Sequence, residues 1–114
     1  MDIETATTGE LEQQLLADEA AIARIRSRQM VVLREVDRRQ TPVASGCGSL
    51  GEWVRGRLDV APETARDLVA TAKRLEALPE VDEAVELGTI GFDRAVAVAR
   101  FAGRDDTFNL LEVV

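Results

Sequence analysis

An uninterrupted helical pattern near the N-terminus constrains the fold more than any other feature of the chain. From Glu10 to Gln40 there is neither Gly nor Pro, and apolar residues recur at three-, four- and seven-residue steps. This spacing places them on one stripe of an α-helix, comprising Leu11, Leu15, Ile22, Ile25, Val32 and Val36. Four further residues widen the stripe: Leu16, Ala23, Met30 and Leu33. We predict one helix over residues 10–40, far longer than the usual ~11–12 residues, that packs on more than one neighbour.

Helix breakers and caps divide the rest of the chain into shorter elements. Residues 41–48 read T-P-V-A-S-G-C-G, which predicts a linker. The spacing of Ser49 and Glu52 is that of a capping box, in which the hydroxyl and the carboxylate accept hydrogen bonds from N–H groups left free at a helix start. This motif predicts a helix over residues 50–58.

Prolines and glycines mark the later helices. Pro62 and Pro79 suit the first position of a helix, where an N–H group is not needed. Gly88 suits the left-handed residue that closes a helix ending near Leu87. We predict helices from residue 62 to about residue 75, over 79–87 and over 92–102, and one more starting at Asp105 and Asp106 that carries Phe108, Leu110 and Leu111.

Composition agrees with an all-helical domain. Of 114 residues 46% are hydrophobic, with three Phe, one Trp and no Tyr, so the core must come from aliphatic packing between helices. We predict an all-α fold with a leader over residues 1–9 and a single domain over 10–114, in which the long helix packs on four or five shorter helices of a unit spanning 49–114. Truncation of Trp53 is expected to destabilise most, by roughly 3–5 kcal/mol if its ring is fully buried. The expected core consists of Trp53, Leu58, Leu68, Leu75, Leu78, Val85, Ile90, Phe92 and Phe101.

Charge is distributed unevenly along the chain. The net charge of −7 opposes attraction of the whole molecule to phosphate or to an anionic membrane. Residues 1–19 carry six acids and no base, residues 20–57 carry eight Arg against three acids, and residues 58–114 carry six bases against twelve acids. Any surface that faces an anion is therefore expected in the middle third.

The residue types argue against catalysis. The chain has no His, which removes the commonest general base and metal ligand, and its one Cys, Cys47, can build neither an internal disulfide nor a thiolate zinc site. No Gly-rich phosphate loop is present. We therefore expect no enzyme activity, no cofactor, no bound metal and no small-molecule substrate. A carboxylate cluster forms either a solvated helix face or a cation site, and we favour the first: Glu80, Asp82, Glu83 and Glu86.

The two ends of the chain bear on its location and completeness. No apolar run approaches the roughly 20 residues of a membrane span, and the acidic stretch from Met1 to Glu10 lacks the apolar centre of a secretory signal. We expect a cytoplasmic protein that does not bind membranes. The last residues, 111–114, are apolar and uncapped, so we expect the domain to be truncated at its C-terminus.

Residues 50–75 have the outline of a helix-turn-helix, with a short helix, a tight turn at residues 59–61 and a second helix. In a DNA-binding interpretation Glu63, Thr64 and Arg66 begin the recognition helix and can reach base edges. Two helices joined by a short turn are also common in helical domains, so a purely structural role is the alternative. The basic residues expected to face phosphates are Arg55, Arg57, Arg66, Lys73 and Arg74.

The long helix offers a second interpretation. Its apolar stripe and mixed charges suit either packing across its own domain or pairing with the same helix of a second chain as a homodimer. The charges in question are Arg24, Arg26, Arg28 and Arg34 against Glu35 and Asp37.

Several short motifs between Ser49 and Phe101 are specific in combination. They are Ser49-Leu50, Trp53-Val54, Ala61-Pro62-Glu63-Thr64-Ala65-Arg66, Leu75-Glu76-Ala77-Leu78-Pro79, Ala84, Gly88, Ile90 and Ala95, preceded by an Arg-rich helix ending in Asp37-Arg38-Arg39. In these motifs the chain resembles an actinobacterial domain of unknown function, the thirteen-E-twelve repeat family. Two caps depart from that pattern, because Ala61 and Gly91 stand where Ser is usual, and each change costs on the order of 1 kcal/mol of helix capping or less.

The resemblance implies an architecture and a context. Members of that family usually precede an HNH endonuclease domain, whose catalytic His and Asn residues and metal site have no counterpart here. This implies a non-catalytic helical module that positions a nuclease-associated protein on DNA. The alternative is a protein-interaction or self-association domain that uses the long N-terminal helix.

Overall fold

Six helices make up residues 1–102, the part of the chain that the computed structural model describes. No strand occurs in this range, and a long N-terminal helix packs on shorter ones, so the all-α prediction is confirmed. The helix predicted from Asp105 onward lies outside the described residues. In chain order the helices are α1 (Thr8–Arg38), α2 (Thr41–Ala44), α3 (Leu50–Leu58), α4 (Pro62–Leu75), α5 (Pro79–Leu87) and α6 (Phe92–Ala102).

A capping box at Thr7 makes α1 start earlier than predicted. The Thr7 hydroxyl accepts a hydrogen bond from the Glu10 N–H at 3.1 Å, and the Glu10 carboxylate accepts one from the Thr7 N–H at 3.4 Å. These bonds satisfy N–H groups that a helix start otherwise leaves free. The leader predicted over residues 1–9 therefore already contains the first turn of α1.

The linker predicted over residues 41–48 contains one helical turn, α2. Pro42 stands in the first turn of α2, where its missing N–H group is not needed, and its ring is buried. The Cys47 N–H donates to the Pro42 carbonyl at 2.8 Å, which folds the rest of the segment back onto this turn. Pro42, which the sequence indicated as the end of the long helix, thus lies in the first turn of α2.

The starts of α3, α4 and α5 follow the local signals in the sequence. The Ser49 hydroxyl accepts from the Glu52 N–H at 3.1 Å, as predicted, but the Glu52 carboxylate accepts from the Gly48 N–H at 3.0 Å instead of closing the capping box on Ser49. Pro62 and Pro79 begin α4 and α5. Short-range hydrogen bonding and proline geometry are sufficient to set these boundaries.

The packing face of α1 is not the main apolar stripe of the sequence. The buried residues of α1 are Ala23, Ser27, Met30 and Leu33, and this face packs on α4 and α5. Small side chains at 23 and 27 allow the neighbouring helices to approach closely. The main stripe is left largely at the surface, with exposed fractions of 67% for Leu15, 45% for Ile22, 46% for Ile25 and 55% for Val32.

The core lies where α4 meets α1, α3 and α6. Of the nine predicted core residues, Leu68, Leu75 and Val85 are buried, whereas Trp53, Leu78, Ile90 and Phe92 are half-buried and pack against the core. Two predictions were wrong, because Leu58 is 40% exposed and Phe101 is 41% exposed. Both stand at or near the end of a helix, past the neighbours that cover its centre. Since Trp53 is only half-buried, the largest truncation effect is expected at Leu68 instead.

Arg34 joins three helices through contacts that were not predicted from the sequence. Its Nε donates to the carbonyl of Ala72 near the C-terminal end of α4 at 2.6 Å, and its Nη2 lies 3.4 Å from Oδ1 of Asp82 on α5. The Arg34 side chain is 17% exposed, and Asp82 is 31% exposed. A cation at a helix C-terminus is favourable, and a bond to a largely buried charge is stronger than one on the surface.

Arg34→Met is expected to lower the free energy of unfolding by about 1.5–3 kcal/mol. Methionine keeps most of the apolar stem but removes the donors that reach Ala72 and Asp82. Chemical denaturation followed by circular dichroism would measure the change. The matched control is Arg38→Met in the same helix, whose ion pair with Glu35 is 75% exposed on the Arg side and should contribute little. Equal losses in the two variants would contradict the structural role of Arg34.

Candidate nucleic-acid interface

The pair formed by α3 and α4 has the predicted helix-turn-helix outline. A nine-residue helix, the turn at residues 59–61 and a 14-residue helix follow one another, and the two helices pack together. Asp59 closes α3 in the left-handed conformation, at φ 53° and ψ 47°, which Asp tolerates better than most residues. Ala61 is extended and leads into Pro62. The turn is thus set by residues that suit its backbone.

A basic surface groove of about 560 Å³ lies between α3 and α4. Arg55 enters it from α3, and Arg66 and Lys73 enter it from α4. All three side chains are exposed, and Glu52 is the one acid that lines the groove. Its walls are completed by Ser49, Gly51, Pro62, Ala65, Val69 and Ala70.

The cations of this basic groove are weakly compensated. Within residues 1–102 neither Arg55 nor Arg66 has an ion-pair partner. Lys73 Nζ lies 4.0 Å from Oδ2 of Asp37, and both side chains are about half exposed, so this pair is weak. Guanidinium groups without a partner can form bidentate hydrogen bonds with phosphate oxygens.

The other predicted contact residues lie outside the basic groove. The guanidinium carbon of Arg57 lies 5.7 Å from the Trp53 ring centroid, a cation–π contact on another side of α3. Glu63, Thr64 and Arg74 do not line the groove. The structure therefore brings together three of the seven candidates.

Helical periodicity explains this division of the candidates. Arg66 and Lys73 are seven residues apart, two turns of α4, and share a face, whereas Arg74 lies about 100° further round. The same spacing places Arg74 on the side of Asp67, whose carboxylate accepts a hydrogen bond from Arg100 at 2.7 Å. The shared face of Arg66 and Lys73 was readable in the sequence. The approach of Arg55 and the presence of Glu52 in the same groove depend on how α3 packs on α4.

Metal-binding and membrane-spanning features are not found in the described residues. Between residues 1 and 102 no three His, Cys, Asp or Glu side chains converge so as to hold a metal ion, and this range includes the carboxylate cluster on α5. The Cys47 thiol is half-buried and free. No helix in this range combines the length and the apolar character needed to cross a membrane.

Comparison with known proteins assigns a family and no activity. The family model described as "Domain of unknown function (DUF222)" matches residues 12–107. This range covers all of the helices except the first turn of α1. No curated protein and no solved structure matches the chain.

Proposed function

Because the chain belongs to the DUF222 family, whose function is unknown, we propose from its own surface that it is a non-catalytic helical module that associates with DNA. The observation that carries this proposal is the basic groove, in which Arg55 and Arg66 face the same space and have no ion-pair partner among residues 1–102. Cations placed in this way bind phosphate oxygens and release counterions from the DNA backbone.

The basic groove supports backbone binding more than base reading. Its three cations come from two helices and converge on a concave surface, which suits one run of phosphates. Glu63 and Thr64, which would read base edges, lie outside the groove. Contacts to phosphate position a protein on DNA but carry no sequence information directly. The proposed binding is therefore largely independent of DNA sequence.

The net charge of −7 limits how strong this association can be. The acids outside the groove repel DNA at long range, so binding depends on a few short-range contacts and should be weak and strongly salt-dependent. Weak association suits a module that holds another activity near DNA. The resemblance to actinobacterial domains that precede an HNH endonuclease supports this positioning role for a nuclease-associated protein.

Reversing the charge of Arg55 and Arg66 is expected to remove most DNA binding. Fluorescence anisotropy with a labelled random duplex, at about 50 and 200 mM salt, should show binding by the wild-type chain that weakens steeply with salt. Arg55→Glu with Arg66→Glu should weaken binding at least about tenfold and lower the slope of log K against log salt by about 2.

The matched control is Arg38→Glu with Arg39→Glu, which changes the net charge equally. These two exposed residues at the end of α1 pair with Glu35 and lie outside the basic groove. A loss of affinity as large as that of the groove variant would show only a general charge effect and would contradict the proposed site. Absence of wild-type binding to duplex at either salt concentration would overturn the DNA proposal itself.

A further inference from the structure

α1 has a second face that repeats with the period of a coiled coil. We call it the outer face, and its residues follow alternating steps of four and three: Leu11, Leu15, Asp18, Ile22, Ile25, Gln29, Val32 and Val36. None of these eight side chains is buried, and Leu15, Ile22, Ile25 and Val32 are 45–67% exposed. Six of the eight positions are apolar, and such a 3.5-residue repeat over more than three heptads is typical of helices that pair.

The first half of α1 has no buried side chain and approaches the rest of the fold near its end, where Ala20 lies close to Gly88 of α5. The first buried residue of the helix is Ala23, and from Thr8 to Ile22 every side chain is exposed or half-buried. A helical segment of this length is marginal in water without packing on one side. Leu15, at 67% exposure, is the most exposed apolar side chain of this segment on the outer face, where such packing would cover it. The first half of α1 thus has the properties of one half of an interface.

The outer face of one α1 matches, residue by residue, the outer face of a second α1 that runs in the opposite direction. If two copies of α1 run antiparallel about a point between residues 22 and 25, Ile22 faces the partner's Ile25 and Leu15 faces the partner's Val32. In the same register Leu11 faces the partner's Val36. The two polar residues, Asp18 and Gln29, then face each other, so that the amide can donate to the carboxylate. In this register each apolar side chain of the outer face therefore meets an apolar one, and each polar side chain meets a polar one.

A parallel arrangement in register lacks this complementarity. It would place Asp18 against the partner's Asp18 in the middle of the apolar face, where two like charges repel and lose solvation. It would also place the acidic half of each helix against the acidic half of the other. Glu10, Glu12, Asp18 and Glu19 all precede residue 20.

Charge along α1 favours the antiparallel arrangement as well. Between residues 20 and 34 the helix carries Arg24, Arg26, Arg28 and Arg34 and no acid. An antiparallel partner brings its acidic half alongside this basic half. Because the pair is symmetric, this favourable contact occurs twice. Glu19 and Arg26 follow Asp18 and Ile25 at equivalent heptad positions, so each Glu19 would lie beside the partner's Arg26. Arg26 is already held over the Phe92 ring, with 5.6 Å from its guanidinium carbon to the ring centroid.

An apolar groove beside the second half of α1 can receive the first half of a partner's α1. It has a volume of about 220 Å³, and Trp53 and Leu58 of α3 form one wall while Val32 and Val36 form the other. Leu58, at 40% exposure, stands open on its rim. In the antiparallel register this groove lies opposite the partner's Leu11 and Leu15. The groove would thus bury the exposed Leu15 and complete the burial of the half-buried Leu11.

We propose that two copies of this chain associate through their outer faces as an antiparallel pair of α1 helices, centred between Ile22 and Ile25. A second copy is the partner that fits this face. In one register the apolar residues meet, Asp18 meets the partner's Gln29, and the acidic half of each helix lies along the basic half of the other. The pairing does not depend on DNA, since the basic groove lies between α3 and α4.

Sedimentation velocity over a range of concentrations tests the association. The wild-type chain should sediment as a dimer at high concentration, and Ile22→Glu should raise the dissociation constant at least about 100-fold, because symmetry counts each substitution twice. Val31→Glu is the control, since Val31 is 57% exposed on the same helix but off the outer face. It should leave the dimer intact. A wild-type monomer at every concentration, or equal effects of the two substitutions, would overturn the proposal.

Disulfide trapping tests the orientation. In a Cys47→Ser background, a chain with Leu15→Cys mixed with a chain with Val32→Cys should form a mixed disulfide under mild oxidation, because these positions face each other. Each variant alone should not cross-link, because Leu15 and the partner's Leu15 would be about 25 Å apart along the helices. Cross-linking of each variant with itself would show a parallel pair and refute the antiparallel register. The absence of a cross-link both in the mixture and in each variant alone would also refute the antiparallel register.

Discussion

Leu68→Ala is expected to lower the free energy of unfolding by about 3–5 kcal/mol, the largest effect of any single truncation in residues 1–102. Leu68 has no exposed surface and belongs to the cluster in which α4 meets α1, α3 and α6. Truncation removes apolar contacts and leaves a cavity that helices held from several sides cannot close. Urea denaturation followed by circular dichroism would measure the loss.

The control for Leu68 is Leu87→Ala, a chemically identical change at the end of α5. Leu87 is 60% exposed, so its truncation is expected to change stability by about 0.5 kcal/mol or less. If both variants lost similar stability, α4 would not form the centre of the core. A loss at Trp53→Ala larger than at Leu68→Ala would restore the expectation from sequence that Trp53 matters most.

Gly88→Ala is expected to lower the free energy of unfolding by about 2–4 kcal/mol. Gly88 closes α5 at φ +75°, where a side chain costs about 1–2 kcal/mol. A Cβ atom there would also lie 3.0 Å from the Ala20 carbonyl oxygen and 3.3 Å from the Ala20 Cβ on α1. Because this oxygen belongs to a helix backbone, α1 and α5 would have to separate slightly. Thermal and urea unfolding would both report the change.

Gly46→Ala separates the two causes of that loss. Gly46 has almost the same backbone angle, φ +82°, but no atom lies within 4 Å of a Cβ placed on it. Its replacement should therefore cost only the conformational part, about 1–2 kcal/mol. Equal losses at the two glycines would show that the contact between α5 and α1 at Ala20 is loose, contrary to the structure.

Local signals in the sequence were sufficient to place most helix boundaries. Pro62 and Pro79 begin helices, Gly88 ends one, and Ser49 caps α3, because each acts on the backbone within one turn of itself. α1 starts earlier than predicted because of one such signal, the capping box at Thr7. This signal was present in the sequence as T-x-x-E. These features need no knowledge of the neighbouring helices.

The candidate nucleic-acid interface was only partly predictable because it depends on how neighbouring helices pack. Arg66 and Lys73 share a face of α4 by periodicity alone, but Arg55 joins them only because α3 packs on α4. The separation of Arg57 from this set, through its contact with Trp53, depends on the same packing. Grouping the basic residues by their position along the chain therefore put into one set side chains that the packing of α3 and α4 separates.

The helical class, the positions of the helices and the wide apolar stripe of α1 were determined by the sequence itself, because they follow from residue periodicity and from caps that act within a turn. Which side of that stripe is buried was decided only in the tertiary structure. Both sides carry apolar residues, and α4 and α5 pack on the side that includes the small residues Ala23 and Ser27. The bond from Arg34 to Ala72 spans 38 positions and likewise exists only after that packing has formed. The exposure of the other side of the stripe, on which the proposed pairing depends, is a consequence of the same packing.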